Sequence, residues 1–246
     1  MAPKPPSRSN EEFVEALKEG ERGIGIILKR EQEEALARYF LELQKWNAKK
    51  NLTSLQDPKE IAIKHFVDSL TLLPLLKKGE RLLDIGTGAG FPGLVLKVVE
   101  NELKVTLLEA SFKRVAFLKH IKRILKLEHL EIIHGRAEDP GILERGKEGF
   151  SVVVSRALGS LKEFLLLAFP YLQKGGRAIA MKGPKGKLEL EGVEPSLFNL
   201  KEELEFELPL QMGKRLILVF EKKQIDGQSD RHSQSEGRGW KDHNGR

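Results

Sequence analysis

The chain has 246 residues, with 42 Lys or Arg against 36 Asp or Glu, so its formal net charge is +6 at pH 7. It contains no cysteine, which excludes disulfides, zinc–thiolate sites and thiol nucleophiles and is typical of a reducing compartment. No apolar run approaches the ~18 residues of a membrane-spanning helix, and the N-terminal residues lack the apolar segment of a signal peptide. We therefore predict a cytoplasmic protein without a membrane anchor or a metal site.

Helical patterns occupy the N-terminal part of the chain. Asp57 and Pro58, a capping acid followed by proline in the first turn, begin one such helix, which runs to about Leu73. In an earlier helix, Leu36, Phe40 and Trp46 fall on one face. The predicted segments are a flexible tail over 1–9 and helices over 10–20, 29–47 and 57–73, which form a helical extension over 10–78.

The most informative stretch runs from Leu83 to Gly93. An apolar strand that begins at Arg81 ends at Ile85, and three glycines spaced Gly-x-Gly-x-Gly lead into a helix over 94–99. Strand, glycine turn and helix form the first unit of a nucleotide-binding α/β sheet. Glycines let a ligand approach the backbone closely, and the free N–H groups of the helix N-terminus add partial positive charge.

Three kinds of ligand compete for this turn. A dinucleotide fingerprint would need glycine where Phe91 stands, and a phosphate-binding loop would need lysine where Leu94 stands. The pattern that remains, Asp-x-Gly-x-Gly-x-Gly from Asp84 to Gly90, resembles motif I of class I S-adenosylmethionine-dependent methyltransferases. Their donor carries no phosphate, so no lysine is needed. A glycine turn without any ligand is the remaining alternative.

Strands and helices alternate after this first unit, which indicates a parallel sheet with helices on both faces. Two strands near the end read as an antiparallel hairpin at the sheet edge. We predict an α/β fold of the class I methyltransferase type, with a Rossmann-like, mostly parallel seven-stranded sheet over 79–223, followed by a disordered polar tail over 224–246. The predicted elements are strands over 104–109, 130–134, 150–155, 177–181, 204–209 and 215–221 and helices over 112–126 and 160–172.

Acidic and small residues at the ends of the next two strands complete a predicted donor site. Glu109 ends the second strand, where an acid of this fold holds ribose hydroxyls; a solvated glutamate is the alternative. Ala137 and Glu138 follow the third strand, where the methyltransferase analogy places the adenine edge, although a plain loop fits equally well. The predicted donor-site residues are Asp84, Gly86, Thr87, Gly88, Gly90, Phe91, Glu109, Ala110, Ala137, Glu138 and Arg156.

The positive charge is concentrated in one window. Residues 111–136 contain seven Lys or Arg against two acids. A basic helix of this kind attracts a phosphate backbone. The alternative, a helix face that is only solvated, agrees with the sequence equally well. The predicted RNA contacts are Lys113, Arg114, Lys119, Lys122 and Arg123.

The residue types at the end of the predicted strand over 150–155 limit which kind of atom can accept the methyl group. Without cysteine, pyrimidine C5 methylation lacks its nucleophile, and Ser155-Arg156-Ala157 replaces the Asp/Asn-Pro-Pro-Tyr/Phe pattern typical of amino methylation. Ser155 stands where a ribose 2′-O-methyltransferase would usually place an acid, although Lys182 keeps that reaction open. An acceptor without a proton, such as guanine N7, fits best, because catalysis then needs mainly positioning.

Several blocks together resemble one family, the glucose-inhibited division protein B family, also called ribosomal RNA small subunit methyltransferase G. The resemblance implies methyl transfer from S-adenosylmethionine to N7 of a guanine in 16S rRNA. We expect a monomer that acts on this RNA either naked or in an assembling small subunit. The blocks cover about residues 30–222. They are Trp46-Asn47, Asn51-Leu52-Thr53-Ser54, Asp57-Pro58, His65 to Leu70, Asp84 to Gly93, Lys113 to Leu118, Arg136 to Glu138, Ser155 to Ala157 and Met181 to Gly183.

The same resemblance implies that Asn51, His65, Asp68, Arg156 and Lys182 border the acceptor. Methyl transfer moves positive charge onto the guanine, so a cation aimed at N7 would oppose the reaction. We therefore expect Arg156 and Lys182 to contact RNA phosphates, guanine O6 or the donor carboxylate. For His65 and Asp68, which share one helix face, the alternative is a packing hydrogen bond between the extension and the sheet. For Arg156 and Lys182 it is salt bridges to nearby acids. Two other functions stay open: a methyltransferase for another RNA position, a small molecule or a protein, and a non-catalytic RNA-binding assembly factor.

Overall fold

A seven-stranded sheet forms the centre of the protein, for which the computed structural model describes residues 8–146, 148–156 and 158–224. The strand order is β3-β2-β1-β4-β5-β7-β6. Neighbouring strands from β3 to β5 pair in parallel, and β7 runs antiparallel to both β5 and β6. The strands are β1 (Arg81–Ile85), β2 (Lys104–Glu109), β3 (Leu130–His134), β4 (Phe150–Arg156), β5 (Leu172–Lys182), β6 (Phe198–Glu207) and β7 (Lys214–Lys222).

Helices cover both faces of the sheet. Among the described residues the α-helices are α1 (Arg8–Gly23), α2 (Arg30–Lys50), α3 (Pro58–Ile61), α4 (Asp68–Leu70), α5 (Gly93–Val99), α6 (Phe112–Ile124), α7 (Pro140–Arg145) and α8 (Leu161–Ala168). A π-helical segment, Ala62–Val67, joins α3 to α4, and short 3-10 segments span Leu73–Leu75, Phe169–Tyr171, Pro184–Gly192 and Pro209–Gln211. None of the helices in these ranges is long and apolar enough to cross a membrane.

The helical extension packs on the face that also carries α5 and α6. Its centre is aromatic: the rings of Phe13 and Phe40 stack at 4.1 Å, and Phe66 meets Phe13 edge-on at 4.9 Å. All three side chains are fully buried and belong to one continuous core with the α5 and α6 side of the sheet. The extension is thereby fixed to the sheet, and its C-terminal helices lie over the carboxyl ends of the strands.

The sequence-based strand bounds agree with the structure for β1, β2 and β3, and the C-terminal antiparallel hairpin is confirmed. The first helix begins two residues earlier than predicted. Arg8 pairs with Glu12, and Ser9 accepts a hydrogen bond from Gln44 of α2, so these residues are part of the fold and not of a tail. Residues 1–7 and 225–246, which make up most of the two predicted tails, lie outside the described residues.

Candidate active site

The side chain of Asp84 holds the glycine turn, residues 86–90, through hydrogen bonds. Its Oδ2 accepts hydrogen bonds from the Thr87 hydroxyl at 2.7 Å and from the backbone N–H of Gly93 at 2.8 Å. The side chain is fully buried, and Oδ1 has no partner among the described residues. Burial raises the pKa of Asp84 to about 6, against the opposing effect of its two donors.

Glu109, the last residue of the neighbouring strand β2, is hydrogen-bonded to the same turn. Its Oε2 accepts the backbone N–H of Gly88 at 2.9 Å, and its Oε1 accepts that of Ser111 at 2.7 Å. Arg114, at the start of α6, adds a guanidinium nitrogen 3.7 Å from Oε1. Each carboxylate oxygen keeps a further lone pair, so Glu109 fixes the turn and still has acceptor capacity for ribose hydroxyls.

The glycines of the turn serve different purposes. Gly88 has φ +62°, and a Cβ built on it would meet no atom within 4 Å, so open space lies directly against the backbone. A Cβ on Gly90 (φ +105°) would instead collide with the Tyr39 hydroxyl. That hydroxyl donates to the carbonyl of Ala89. Gly88 thus leaves room for a ligand, whereas Gly90 leaves room for a side chain of the extension.

These features fit S-adenosylmethionine. The chain presents an open backbone cradle at Gly88, an acid at the end of β2, and the fully buried Asp84 that holds the cradle in place. Residues that would hold the donor are the glycine turn itself and Glu109. No group of three or more His, Asp or Glu side chains within the described ranges is arranged to hold a metal ion.

The other predicted donor-site residues differ in burial and in their hydrogen bonds. Ala110 is exposed, and its carbonyl accepts from His134; Ala137 is buried, and its carbonyl accepts from Tyr171. Glu138 is exposed beside Arg136. Phe91 is only 4 % exposed, because it is covered by the extension and by Arg156.

Arg156, at the end of β4, connects the sheet to the extension. Its Nη1 donates to the Lys64 carbonyl at 2.9 Å and lies 3.4 Å from Oδ2 of Asp68. Its guanidinium carbon lies 5.2 Å from the centre of the Phe91 ring. The Asp68 carboxylate also accepts from Arg215 Nε at 3.1 Å and is 1 % exposed. One buried carboxylate is therefore shared by two arginines, and burial raises its pKa.

His65 is held neutral by this arrangement. His65 Nδ1 lies 3.2 Å from Arg156 Nη2, which can only donate, and 3.2 Å from the Lys64 carbonyl oxygen, which can only accept. Nε2 forms a hydrogen bond with Thr53 Oγ1 at 2.9 Å. Burial and the Arg156 charge lower the pKa of His65 to about 3. The ring stacks on Phe91 at 4.6 Å.

Lys182, at the end of β5, is also paired. Its ammonium donates to the Gly159 carbonyl at 2.9 Å and to Glu189 Oε2 at 2.9 Å. Lys182, Arg156, Asp68 and His65 line one cavity of about 420 Å³, which we call the cationic cavity; Leu55, Lys64, Met181, Gly183 and Arg215 complete its lining. The structure brings together four of the five predicted acceptor residues, and the salt bridges weighed as alternatives are present.

Asn51, the fifth, lies elsewhere. It ends α2 with φ +50°, in a turn held by Asn47, whose Oδ1 accepts the N–H groups of Leu52 and Thr53 at 2.7 and 2.9 Å. Asn51 lines a second cavity of about 720 Å³ that reaches from the C-terminus of α2 to Arg114. We call this the amide cavity, because several side-chain amides line it. Leu55 lines both cavities, so they are neighbours.

The five predicted RNA-binding side chains of α6 differ in availability. Lys113, Lys119 and Arg123 are exposed. Lys122 donates to the Leu130 carbonyl at 2.5 Å, which ties it to the fold, and Arg114 lies beside Glu109. The exposed part of the basic helix is therefore smaller than its sequence indicates.

Sequence reasoning did not identify Arg215 or Tyr39. Arg215 starts β7 and reaches Asp68 across 147 positions of sequence, and Tyr39 reaches the glycine turn from α2. The helix that carries Tyr39 was predicted, from the periodicity of Leu36, Phe40 and Trp46. Its contact with the glycine turn depends on tertiary packing that periodicity does not specify.

Comparison with known proteins identifies clear relatives. The family GidB, rRNA small subunit methyltransferase G, matches residues 32–217. A ribosomal RNA small subunit methyltransferase G from Caldanaerobacter subterraneus subsp. tengcongensis is 44 % identical over 172 residues, covering 69 % of this chain and 72 % of the relative. One from Geotalea uraniireducens is 40 % identical over 217 residues, covering 87 % and 98 %.

Solved structures with the same fold are more distant. TrmN from Thermus thermophilus has a TM-score of 0.53 and 22 % identity over 64 % of this chain, which spans 48 % of TrmN. A methyltransferase from Pyrococcus furiosus has a TM-score of 0.53 and 21 % identity, with 76 % of this chain and 96 % of that one covered. At this level of identity the likeness supports the fold alone.

Proposed function

The chain belongs to the rRNA small subunit methyltransferase G family, and from that premise we propose that it transfers a methyl group from S-adenosylmethionine to N7 of a guanine in 16S rRNA. The observation that supports this reaction is an intact donor site next to two side chains, His65 and Lys182, that are both unsuited to act as a base. His65 is neutral with a pKa of about 3, and Lys182 is bound to Glu189. We further propose a cytoplasmic monomer that acts on naked or assembling 16S rRNA.

Methyl transfer to N7 requires alignment and little else from the protein. S-adenosylmethionine, when bound, supplies an electrophilic methyl group on a sulfonium. Glu109 and the Gly88 turn would orient the donor, and Asp84 keeps the turn rigid through Thr87 and Gly93. The guanine N7 lone pair carries no proton, so the described residues need not remove one. Positioning of this kind is a sufficient source of rate enhancement.

The pH dependence of the chemical step tests the acceptor. With donor and RNA saturating, we expect the single-turnover rate of the wild type to be nearly constant from about pH 6.5 to 8. Asp84, with a pKa of about 6, and His65, with a pKa of about 3, both titrate below this range. The rate is followed by rapid quench and detection of labelled RNA.

A base-catalysed reaction would behave differently, with a rate rising about 10-fold per pH unit below the pKa of the base. If the wild type shows that rise and Lys182→Ala or His65→Ala abolishes it, a hydroxyl or amine is the acceptor and N7 is not. His65→Ala is expected to slow the reaction by displacing Arg156 while leaving its pH profile flat.

RNA binding tests the basic helix. We expect the triple variant Lys113→Ala/Lys119→Ala/Arg123→Ala to bind 16S rRNA more weakly. The slope of log K against log salt should become shallower by up to ~0.7–0.9 for each phosphate that the protein no longer neutralises. The matched control, Lys77→Ala/Lys78→Ala/Lys174→Ala, removes the same charge from exposed positions near the N-terminal ends of β1 and β5. Equal slopes for both variants would make α6 a solvated face.

A further inference from the structure

The amide cavity combines apolar walls with neutral hydrogen-bonding side chains. Leu43, Leu52, Leu55 and Ile61 give it apolar walls suited to the faces of a ring, and Gln44, Asn47, Asn51 and Gln56 supply side-chain amides. Its volume of about 720 Å³ falls within the range of pockets that enclose small organic ligands. The lining of this cavity, as far as the structure describes the chain, contains no carboxylate.

Much of the hydrogen-bonding capacity of this cavity is unused by the protein. Asn47 holds the backbone of the following turn, and Gln44 donates to Ser9. The side chains of Asn51 and Gln56, in contrast, form no hydrogen bond with the part of the chain that is described. Arg114 adds a buried Nε without a partner in the same ranges.

The cavity adjoins the donor cradle. Arg114 lines the cavity and contacts Glu109, and Glu109 in turn accepts the N–H of Gly88. On the other side, Thr53 lines the cavity and is hydrogen-bonded to His65, which faces the cationic cavity. The amide cavity therefore lies within reach of both the donor turn and the arginine cluster.

The distribution of charge favours the amide cavity over the cationic cavity as the binding site of the guanine ring. The ring gains positive charge as the methyl group arrives at N7. Four cations, Lys64, Arg156, Lys182 and Arg215, line the cationic cavity, and the carboxylates that pair with them, Glu60, Asp68 and Glu189, leave it with a net positive charge. The amide cavity has one cation among its described lining residues, Arg114, which already lies beside a carboxylate. Neutral amides can bind the ring without opposing the developing charge.

We propose that the target guanine binds in the amide cavity, where the side-chain oxygens of Asn51 and Gln56 accept its N1–H and 2-amino protons and leave N7 open toward the donor. An amide offers both an acceptor and a donor, so it matches this edge of guanine. The assignment rests on the proposed function. It moves the base away from His65, Asp68, Arg156 and Lys182, which then act on the RNA backbone or position one another.

The test combines protein variants with a change in the base. The substrates are 16S rRNA and 16S rRNA assembled with inosine, which lacks the 2-amino group, at the methylated position once that position is mapped. Gln56→Ala alters an exposed side chain, and Asn51→Gly keeps the left-handed backbone conformation. Gln173→Ala, an exposed glutamine at the start of β5, is the control.

We expect wild type and Gln173→Ala to methylate the inosine substrate about 10-fold more slowly than the guanosine substrate, the usual order when one hydrogen bond to a base is removed. Gln56→Ala/Asn51→Gly should be about 10-fold slower on guanosine and only slightly slower again on inosine, with unchanged donor affinity. An equal inosine penalty in wild type and variant, or wild-type rates in the variant, would overturn the assignment.

Two further outcomes identify what failed. If the double variant loses donor affinity by calorimetry, the amide cavity belongs to the donor and the base assignment is overturned. If the wild type forms no N7-methylguanine in 16S rRNA, the proposed function itself fails, independently of where a base would bind.

Discussion

Replacement of Gly88 by valine is expected to weaken S-adenosylmethionine binding at least ~10-fold, or roughly 1.4 kcal/mol. Gly88 adopts φ +62° and faces open space where the donor must approach the backbone. A branched side chain would occupy that space and strain a left-handed residue by about 1–3 kcal/mol. The measurement is calorimetric titration of the purified variant with S-adenosylmethionine.

Gly79→Val separates strain from ligand contact. Gly79 has φ +75° and no atom within 4 Å of a built Cβ, but it lies in the turn that precedes β1, at the opposite end of that strand from the glycine turn. We expect this variant to lose comparable stability and to bind the donor normally. Identical donor affinities for Gly79→Val and Gly88→Val would show that the glycine turn does not form the donor cradle.

Removal of the Asp68 carboxylate is expected to cost about 3–5 kcal/mol of unfolding free energy, the usual range for breaking a buried ion pair on one side. Asp68→Ala leaves the guanidinium groups of Arg156 and Arg215 without their shared acceptor, and both are largely shielded from solvent. Urea unfolding followed by circular dichroism measures the loss.

Arg215→Met supplies the comparison. The Asp68 carboxylate keeps Arg156 as a partner in that variant, so we expect a smaller loss, and the double variant should lose less than the sum of the two single ones. Strict additivity would mean that Asp68 and Arg215 do not interact energetically. Because Arg156 contacts His65 and Phe91, Asp68→Ala should also slow methyl transfer.

Most of the sheet could be predicted because buried parallel strands are short apolar runs with clear ends. The bounds of β1, β2 and β3 were therefore readable. The first half of β5 was not, because Gly175 and Gly176 indicate a turn, although Leu172–Lys182 is one strand in the structure. The helix after Asp57 was predicted, but its π-helical segment Ala62–Val67 has no sequence signature that periodicity could reveal.

The candidate site was predictable in residue type and less so in arrangement. Motif spacing identified Asp84, Gly88 and Glu109, whose contacts with the glycine turn are local to two adjacent strands. Gly90 was predicted as a donor-site residue on the same spacing, which did not reveal that Tyr39 occupies the space beside it. Contacts that join distant segments, such as Asp68 with Arg215, follow from the packing of the extension and cannot be read from spacing.

N7 of a guanine in 16S rRNA is the methyl acceptor that we propose for this chain. The most direct measurement incubates the protein with small-subunit RNA and labelled S-adenosylmethionine, then maps N7-methylguanine by chemical cleavage and primer extension, with nucleoside mass analysis of the label. We predict that the label resides in N7-methylguanine at one position of 16S rRNA and is absent with Gly88→Val. Label in any other nucleoside, or in RNA-free fractions only, would contradict the account.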